Sequence, residues 1–184
     1  MNDTILRCPW ANSDPISQKY HDELWGKSCH DDRELFKFLI LDGFQAGLSW
    51  VTILKKWSAF EAAFDGFDPE IIARYDDKKQ AELMNNSAII RNRLKIAAAV
   101  TNAQAVLKLG SLNDFLWGYV DGTPIIGNWE RQEDVPVTTP LSDKISRDMK
   151  KLGFRFVGST IIYSFMQGVG IINDHMAWCA FKER

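Results

Sequence analysis

Apolar positions recur along this chain at three- and four-residue spacing, and almost nowhere do they alternate in the manner of a strand. Asp14-Pro15 reads as an N-cap and first helical position, opening a helix that runs to about Trp25. After the polar turn 26–31, Leu35, Phe36, Leu39, Ile40 and Gly43 define a second helix ending near Gly47. Ser49 caps a third, carrying Ile53, Leu54, Trp57 and Phe60 on one face. Asp68-Pro69 starts a short helix and Asp76 to Met84 forms another. Arg91 to Leu109, with Ile96, Val100 and Val106 apolar, predicts a long one. Residues 121–140 hold three of the six prolines and little periodicity, so they read as an ordered surface loop. A basic amphipathic helix is expected from Ser142 to Lys151, a tight turn over Gly153 to Gly158, and a helix from Ser159 to about Gly168. Asn173 or Asp174 opens a last short helix. The expected class is all-α.

The length, 184 residues, suits one well-buried core, so a single domain over 1–184 is expected. A hydrophobic content of 46% with 25% charged residues fits a soluble globular chain and excludes a disordered one. No apolar run approaches the roughly 20 residues that span a bilayer, and the first residues lack a basic flank before an apolar stretch. A cytoplasmic location and no membrane partner are therefore expected. Three cysteines are odd in number and too few for a disulfide framework, which favours a reducing compartment. The net charge of −2 excludes coating of nucleic acid by bulk electrostatics, so any DNA contact has to be local.

Two of the three histidines and two of the three cysteines form compact pairs near opposite ends, Cys8 with His21 and His175 with Cys179. Tetrahedral zinc takes four such ligands, and His175 and Cys179 at i and i+4 would project from one face of a helical turn. The spacing alone fits buried thiols and core histidines equally well. Cys29 and His30 are adjacent, their side chains diverge, and they read as a loop pair.

Leu152 to Thr160 joins two helices through a turn with glycine at each end, Gly153 and Gly158. Such a helix-hairpin-helix exposes N–H groups at the start of its second helix, around Gly158, Ser159 and Thr160, where a DNA phosphate fits without base specificity. Lys144, Arg147, Lys150, Lys151 and Arg155 cluster there. On its own such a stripe reads as a solvated face; beside the glycine-bounded turn it favours DNA. A second turn of this kind lies at 88–95. Asp42 follows Leu39-Ile40-Leu41 inside an apolar helix, where an unpaired carboxylate is costly. It therefore either meets a basic partner or faces a cavity, and in a cavity beside aromatic rings it is a candidate functional group.

Together Arg7-Cys8-Pro9-Trp10, Tyr20-His21-Asp22 with Trp25-Gly26, Gln45-Ala46-Gly47-Leu48-Ser49-Trp50, Ile89-Ile90-Arg91-Asn92-Arg93, the Gly153 to Gly158 turn, and Asn173-Asp174-His175 with Cys179 resemble the 3-methyladenine DNA glycosylase I family of helix-hairpin-helix glycosylases. The match runs in order from about residue 7 to 180. It implies a helix-hairpin-helix fold and one structural Zn2+ on Cys8, His21, His175 and Cys179. It also implies a hydrolase of base excision repair that flips 3-methyladenine out of double-stranded DNA and cuts its N-glycosidic bond.

The roles it implies are Trp50 as stacking face, Tyr20 as the hydroxyl reading the base edge, Asp42 as the carboxylate toward the base, and Trp10 and Trp25 as walls. Leu48, after Gly47, fills the gap in the duplex, while Lys150 and Arg155 hold phosphates. No lysine stands where bifunctional relatives keep a Schiff-base nucleophile, so no lyase step is expected, and a monomer is. Three positions depart from the family pattern. Asp42 stands for the usual glutamate, Ser17 for a tyrosine, which opens one wall of the pocket, and Ala88 for a glycine. The shortened carboxylate leaves two other readings open: a protein that binds lesions without cutting, and a structural zinc module with no DNA role.

Overall fold

The computed structural model describes residues 5–182; the outermost positions of the expected 1–184 span lie outside them. Ten α-helices are present among the described residues, most of them started by a side chain the sequence supplies. The Asp14 carboxylate accepts from the Ile16 N–H at the head of α1 (Pro15–Glu23), and Asp31 accepts from Glu34 at the head of α2 (Asp32–Gln45). Asn92 accepts from Leu94 and Lys95 to open α7 (Arg93–Leu109). Thr139 and Ser142 form a reciprocal capping box at α9 (Pro140–Lys151). Each such cap contributes about 1 kcal/mol.

The α2 helix is the axis of the molecule. Every residue from Leu35 to Phe44 is buried, so this helix is covered on all sides. The helices α7 and α10 (Ser159–Gly168) pack against it, and α9 lies against α10.

Three expectations need correction. The helix expected from Ser49 through Phe60 is two, α3 (Trp50–Leu54) and α4 (Trp57–Ala63). Lys56 leaves helical geometry between them, and its Nζ donates to the carbonyls of Ala88 at 2.8 Å and Ser87 at 3.4 Å, tying the break to the turn that follows α6 (Asp77–Asn85). Ala88 itself has no left-handed φ, so that turn does not require glycine. Short α5 (Pro69–Ile72) begins at Asp68-Pro69 as expected, whereas α8 (Leu112–Trp117) has no counterpart in the sequence reading.

Residues 172–179, where a last helix is expected from Asn173 or Asp174, form no helix. Ile172–Asn173 (β2) pairs in parallel with Ile125–Ile126 (β1), and Trp129 bridges to Met176. Asn173 explains the change locally, because its Oδ1 accepts from the backbone N–H of His175 at 3.2 Å and meets His175 Nδ1 at 2.8 Å, competing with a helical first turn. Residues 125–129 are thereby zipped onto 172–176. Gly127 sits at the tightest point of this zip: a Cβ there would lie 2.3 Å from Asp174 Oδ1 and 2.4 Å from Trp129 Nε1. Gly127→Ala is expected to destabilise the fold by about 1–3 kcal/mol, as overpacking does, and thermal unfolding of the variant measures it.

Candidate functional site

A cavity of about 270 Å³ opens between α1, the end of α2, α3 and α10. Trp10, Tyr20, Trp25 and Trp50 wall it. Trp10 and Trp25 meet edge to face at 5.0 Å, and Tyr20 and Trp50 lie 5.4 Å apart at 57°. Such rings present flat π-faces and few polar atoms, which suits a planar heterocycle. Trp50 Nε1 is buried without a hydrogen-bond partner, an unmet donor in the wall.

Asp42 is 2% exposed and is not itself a wall of the cavity. It stands close to Ser164, which lines the cavity and whose side chain favours the ionised carboxylate. Burial pushes the Asp42 carboxyl up to about 8, against the opposing effect of the Ser164 side chain. The neighbouring Tyr20 hydroxyl is pushed well above its ordinary value, first by burial and then by the Asp42 charge, so it stays a neutral donor.

The remaining cavity groups were not singled out from sequence. Gln45 and Gln167 add amides, and Asp174, 1% exposed, adds a second carboxylate. Asp174 accepts from Trp129 Nε1 at 2.6 Å, from Gln167 Nε2 at 2.8 Å and from the Tyr163 hydroxyl, so its acceptors are committed. Gln132 and Val135 come from the 121–140 loop, which the zip and the Trp129–Asp174 bond deliver to the cavity. Ser17 is buried and is not among the residues that line the cavity. Asp174 had a usable signal, an acidic residue next to a candidate ligand. Gln132 and Val135 had none, because only the strand pairing brings them in.

At the ends of the chain Cys8, His21 and Cys179 bring their ligand atoms within 4.8 Å of one another, a cluster able to hold a metal ion. Cys179 Sγ lies 3.5 Å from His21 Nε2, and the His175 ring packs edge-on to His21 at 4.7 Å. These ligand atoms come from α1 and from turns, not from a helix bearing His175 and Cys179. His175 Nε2 is buried with no partner, while its Nδ1 is held by Asn173. His21 Nδ1 is held at 2.8 Å by Asp22, itself gripped by Arg7. Each imidazole thus has one nitrogen oriented from behind and the other left for a metal. Burial lowers both histidines, His175 to about 4, and keeps them neutral as ligands must be. Gly26 permits this packing, since a Cβ there would lie 2.8 Å from the His175 ring. Cys29 and His30 lie elsewhere, with His30 stacked on Trp117.

On another face, α9 and α10 form a hairpin through residues 152–158. The head of α10 has no side-chain cap, and Ser159 Oγ is engaged with Ser142 Oγ at 2.8 Å, so helix-start N–H groups remain available beside exposed Thr160. The basic cluster is smaller than the sequence suggests. Lys144 and Lys151 both pair with Asp148, whereas Arg147, Lys150 and Arg155 are exposed and have no ion-pair partner among the described residues. Gly47, at φ +81°, touches nothing within 4 Å of a Cβ, and Leu48 beside it is 41% exposed.

The fold is that of the helical DNA glycosylases. A crystal structure of 3-methyladenine DNA glycosylase I matches with a TM-score of 0.94 at 43% identity, over 97% of this chain and all (100%) of the other. The Staphylococcus aureus 3-methyladenine DNA glycosylase I structure, solved for its 3-methyladenine recognition, matches at 0.93 and 37% identity, covering 97% of each chain. The Escherichia coli (strain K12) DNA-3-methyladenine glycosylase 1 is 41% identical over 177 residues, 94% of this chain and 95% of that protein. The family described as methyladenine glycosylase matches residues 10–183, and the chain belongs to it.

Proposed function

We propose that this protein excises 3-methyladenine from alkylated double-stranded DNA, hydrolysing the N-glycosidic bond as a monofunctional base-excision-repair glycosylase. The observation that carries this reading is the aromatic cavity with a buried carboxyl, Asp42, close to Tyr20 and Ser164. Methylation at N3 makes the base cationic within the nucleotide, so the base leaves neutral and needs little help from an acid. The work of the site is to take the base out of the stack, at a cost of a few kcal/mol, and hold it. Trp50 is the stacking face and Trp10 and Trp25 the flanking walls, where cation–π attraction of about 0.5–2 kcal/mol favours a methylated base over a neutral one. Tyr20 reads the base edge. Asp42 completes the discrimination, because a neutral adenine gives a buried carboxyl no reason to ionise and a cation does.

On the DNA side, Leu48 at the open tip after Gly47 enters the gap left by the flipped nucleotide. The N–H groups at Gly158, Ser159 and Thr160, with Lys150 and Arg155, hold a phosphate. One chain supplies every part, so a monomer suffices. The terminal cluster holds a structural Zn2+ on Cys8, His21, Cys179 and His175, the last offering the unpartnered Nε2. Four protein ligands leave no position for a reacting water, so the metal takes no part in the chemistry.

Folded, metal-loaded protein is expected to release 3-methyladenine from methylated duplex DNA and to leave the resulting abasic strand uncut, both read by chromatography of the products. No release would overturn the reading. The recessed Asp42 favours weak excision over the direct contact of a longer carboxylate. Asp42→Glu is therefore expected to raise the release rate; tight lesion binding with no release in either form would establish a lesion-binding protein instead.

A further inference from the structure

Two buried polar side chains of α7 have no part in the cavity. Lys95, 7% exposed, has no carboxylate within ion-pairing distance among the described residues. Its Nζ donates instead to the carbonyl of Phe44 at 2.8 Å and of Ala46 at 2.6 Å, the unpaired end of α2. Desolvation lowers this lysine, and the negative end of the α2 dipole offsets the cost. Asn102, 3% exposed, grips Arg155 from both sides: its Oδ1 accepts the Arg155 N–H at 2.7 Å and its Nδ2 donates to the Arg155 carbonyl at 3.0 Å. The two residues stand two turns apart on one face of α7.

Each therefore holds the backbone of one projecting loop. Beyond Ala46 the tip Gly47-Leu48-Ser49 is exposed, and Lys95 is the side chain that ties its base to the core. On the hairpin, Arg155 precedes Phe156, which holds a left-handed φ of 54°, and Phe156 packs over Gly43 of α2. We infer that Lys95 and Asn102 are positioning residues that make α7 a spacer, fixing the duplex-entering tip at a set distance from the phosphate-holding hairpin. The inference rests on the DNA reading above.

Lys95→Met and Asn102→Leu separate this role from general destabilisation. Both variants are expected to bind free 3-methyladenine, followed by tryptophan fluorescence, within about twofold of the parent. Each is expected to lose about tenfold or more in kcat/KM on methylated duplex, since hydrogen bonds that set the geometry are gone. Asn102→Leu should also flatten the salt dependence of affinity for undamaged duplex, because the hairpin no longer presents its phosphate contacts together. Lys95→Met should keep that slope.

Unchanged kcat/KM in a folded variant overturns the inference, and so does a parallel loss of free-base affinity. Lys95→Gln, which retains one donor, replaces the methionine variant should that fail to fold, with an intermediate loss expected. If the parent releases no base, the function proposed above fails by itself. The salt slopes on undamaged duplex still test the spacer.

Discussion

Asp42→Asn is expected to make the protein more stable, and by a margin that widens as the pH rises from 5 to 8. The folded-state carboxyl titrates near 8, whereas an unfolded aspartate titrates near 3.9. Below pH 4 the group is protonated in both states and contributes no pH dependence. Between these values the unfolded chain has given up the proton that the folded chain keeps, so each pH unit costs the parent about 1.4 kcal/mol. Asparagine carries no such proton, and the variant escapes the loss. Across the whole interval the difference is on the order of 5 kcal/mol, and the cost stops growing above pH 8. Urea unfolding of both proteins at pH 5 and pH 8 measures it; equal gaps at the two pH values would show that Asp42 is not held protonated.

The same substitution should damage catalysis. Set back from the cavity, the ionised carboxylate still attracts a cationic base across a water-poor site, and losing about 1–2 kcal/mol of that attraction is expected to lower kcat/KM on methylated DNA by about 10-fold. The pH profile distinguishes this from a packing effect. Because the ionised form serves the cation, kcat/KM of the parent rises through pH 8, where it reaches half its maximum, and levels off above about pH 9, while the asparagine variant is flat and low. Stability and activity thus oppose each other at one residue, which is the signature of a group placed for chemistry.

Stripping the proposed zinc, or replacing Cys8 with alanine, is expected to bring the chain close to unfolding. Structural zinc in small sites contributes on the order of 10 kcal/mol of apparent folding energy, as much as a typical domain has in total. Without it, buried thiols and imidazoles face one another, and His175 Nε2 is left unsatisfied. Among the described residues, the ends are also joined by the Ala180 N–H donating to the Leu6 carbonyl at 2.9 Å, the Met176 N–H donating to Cys8 Sγ at 3.3 Å, and Arg7 lying over the Phe181 ring.

Metal loss should also reach the cavity, because 172–176 carries both His175 and the strand that positions Gln132 and Val135. Metal-free protein should therefore bind 3-methyladenine more weakly even in the fraction that stays folded. Thermal unfolding and base titration before and after chelation check both effects. Identical unfolding curves would remove the metal from the fold.

Much of this molecule was legible in its residue order, for a local reason. Helix starts are written in single side chains such as Asp14, Asp31, Asn92 and Thr139, and burial of α2 in a run over 35–44 whose charged members are Lys37 and Asp42 alone. The pairs Cys8 with His21 and His175 with Cys179 announce themselves by residue type, as do Tyr20 and Trp50. What only the tertiary structure decided depends on how far-apart segments meet. It sets Asp42 close to Ser164, quenches Lys144 and Lys151 on Asp148, breaks the 49–60 helix at Lys56, and converts 172–176 into a strand and turns that carry a distant loop to the cavity. Periodicity specifies which face of an element is apolar, but not which partner covers it, and the depth and charge of a buried group follow from the partner.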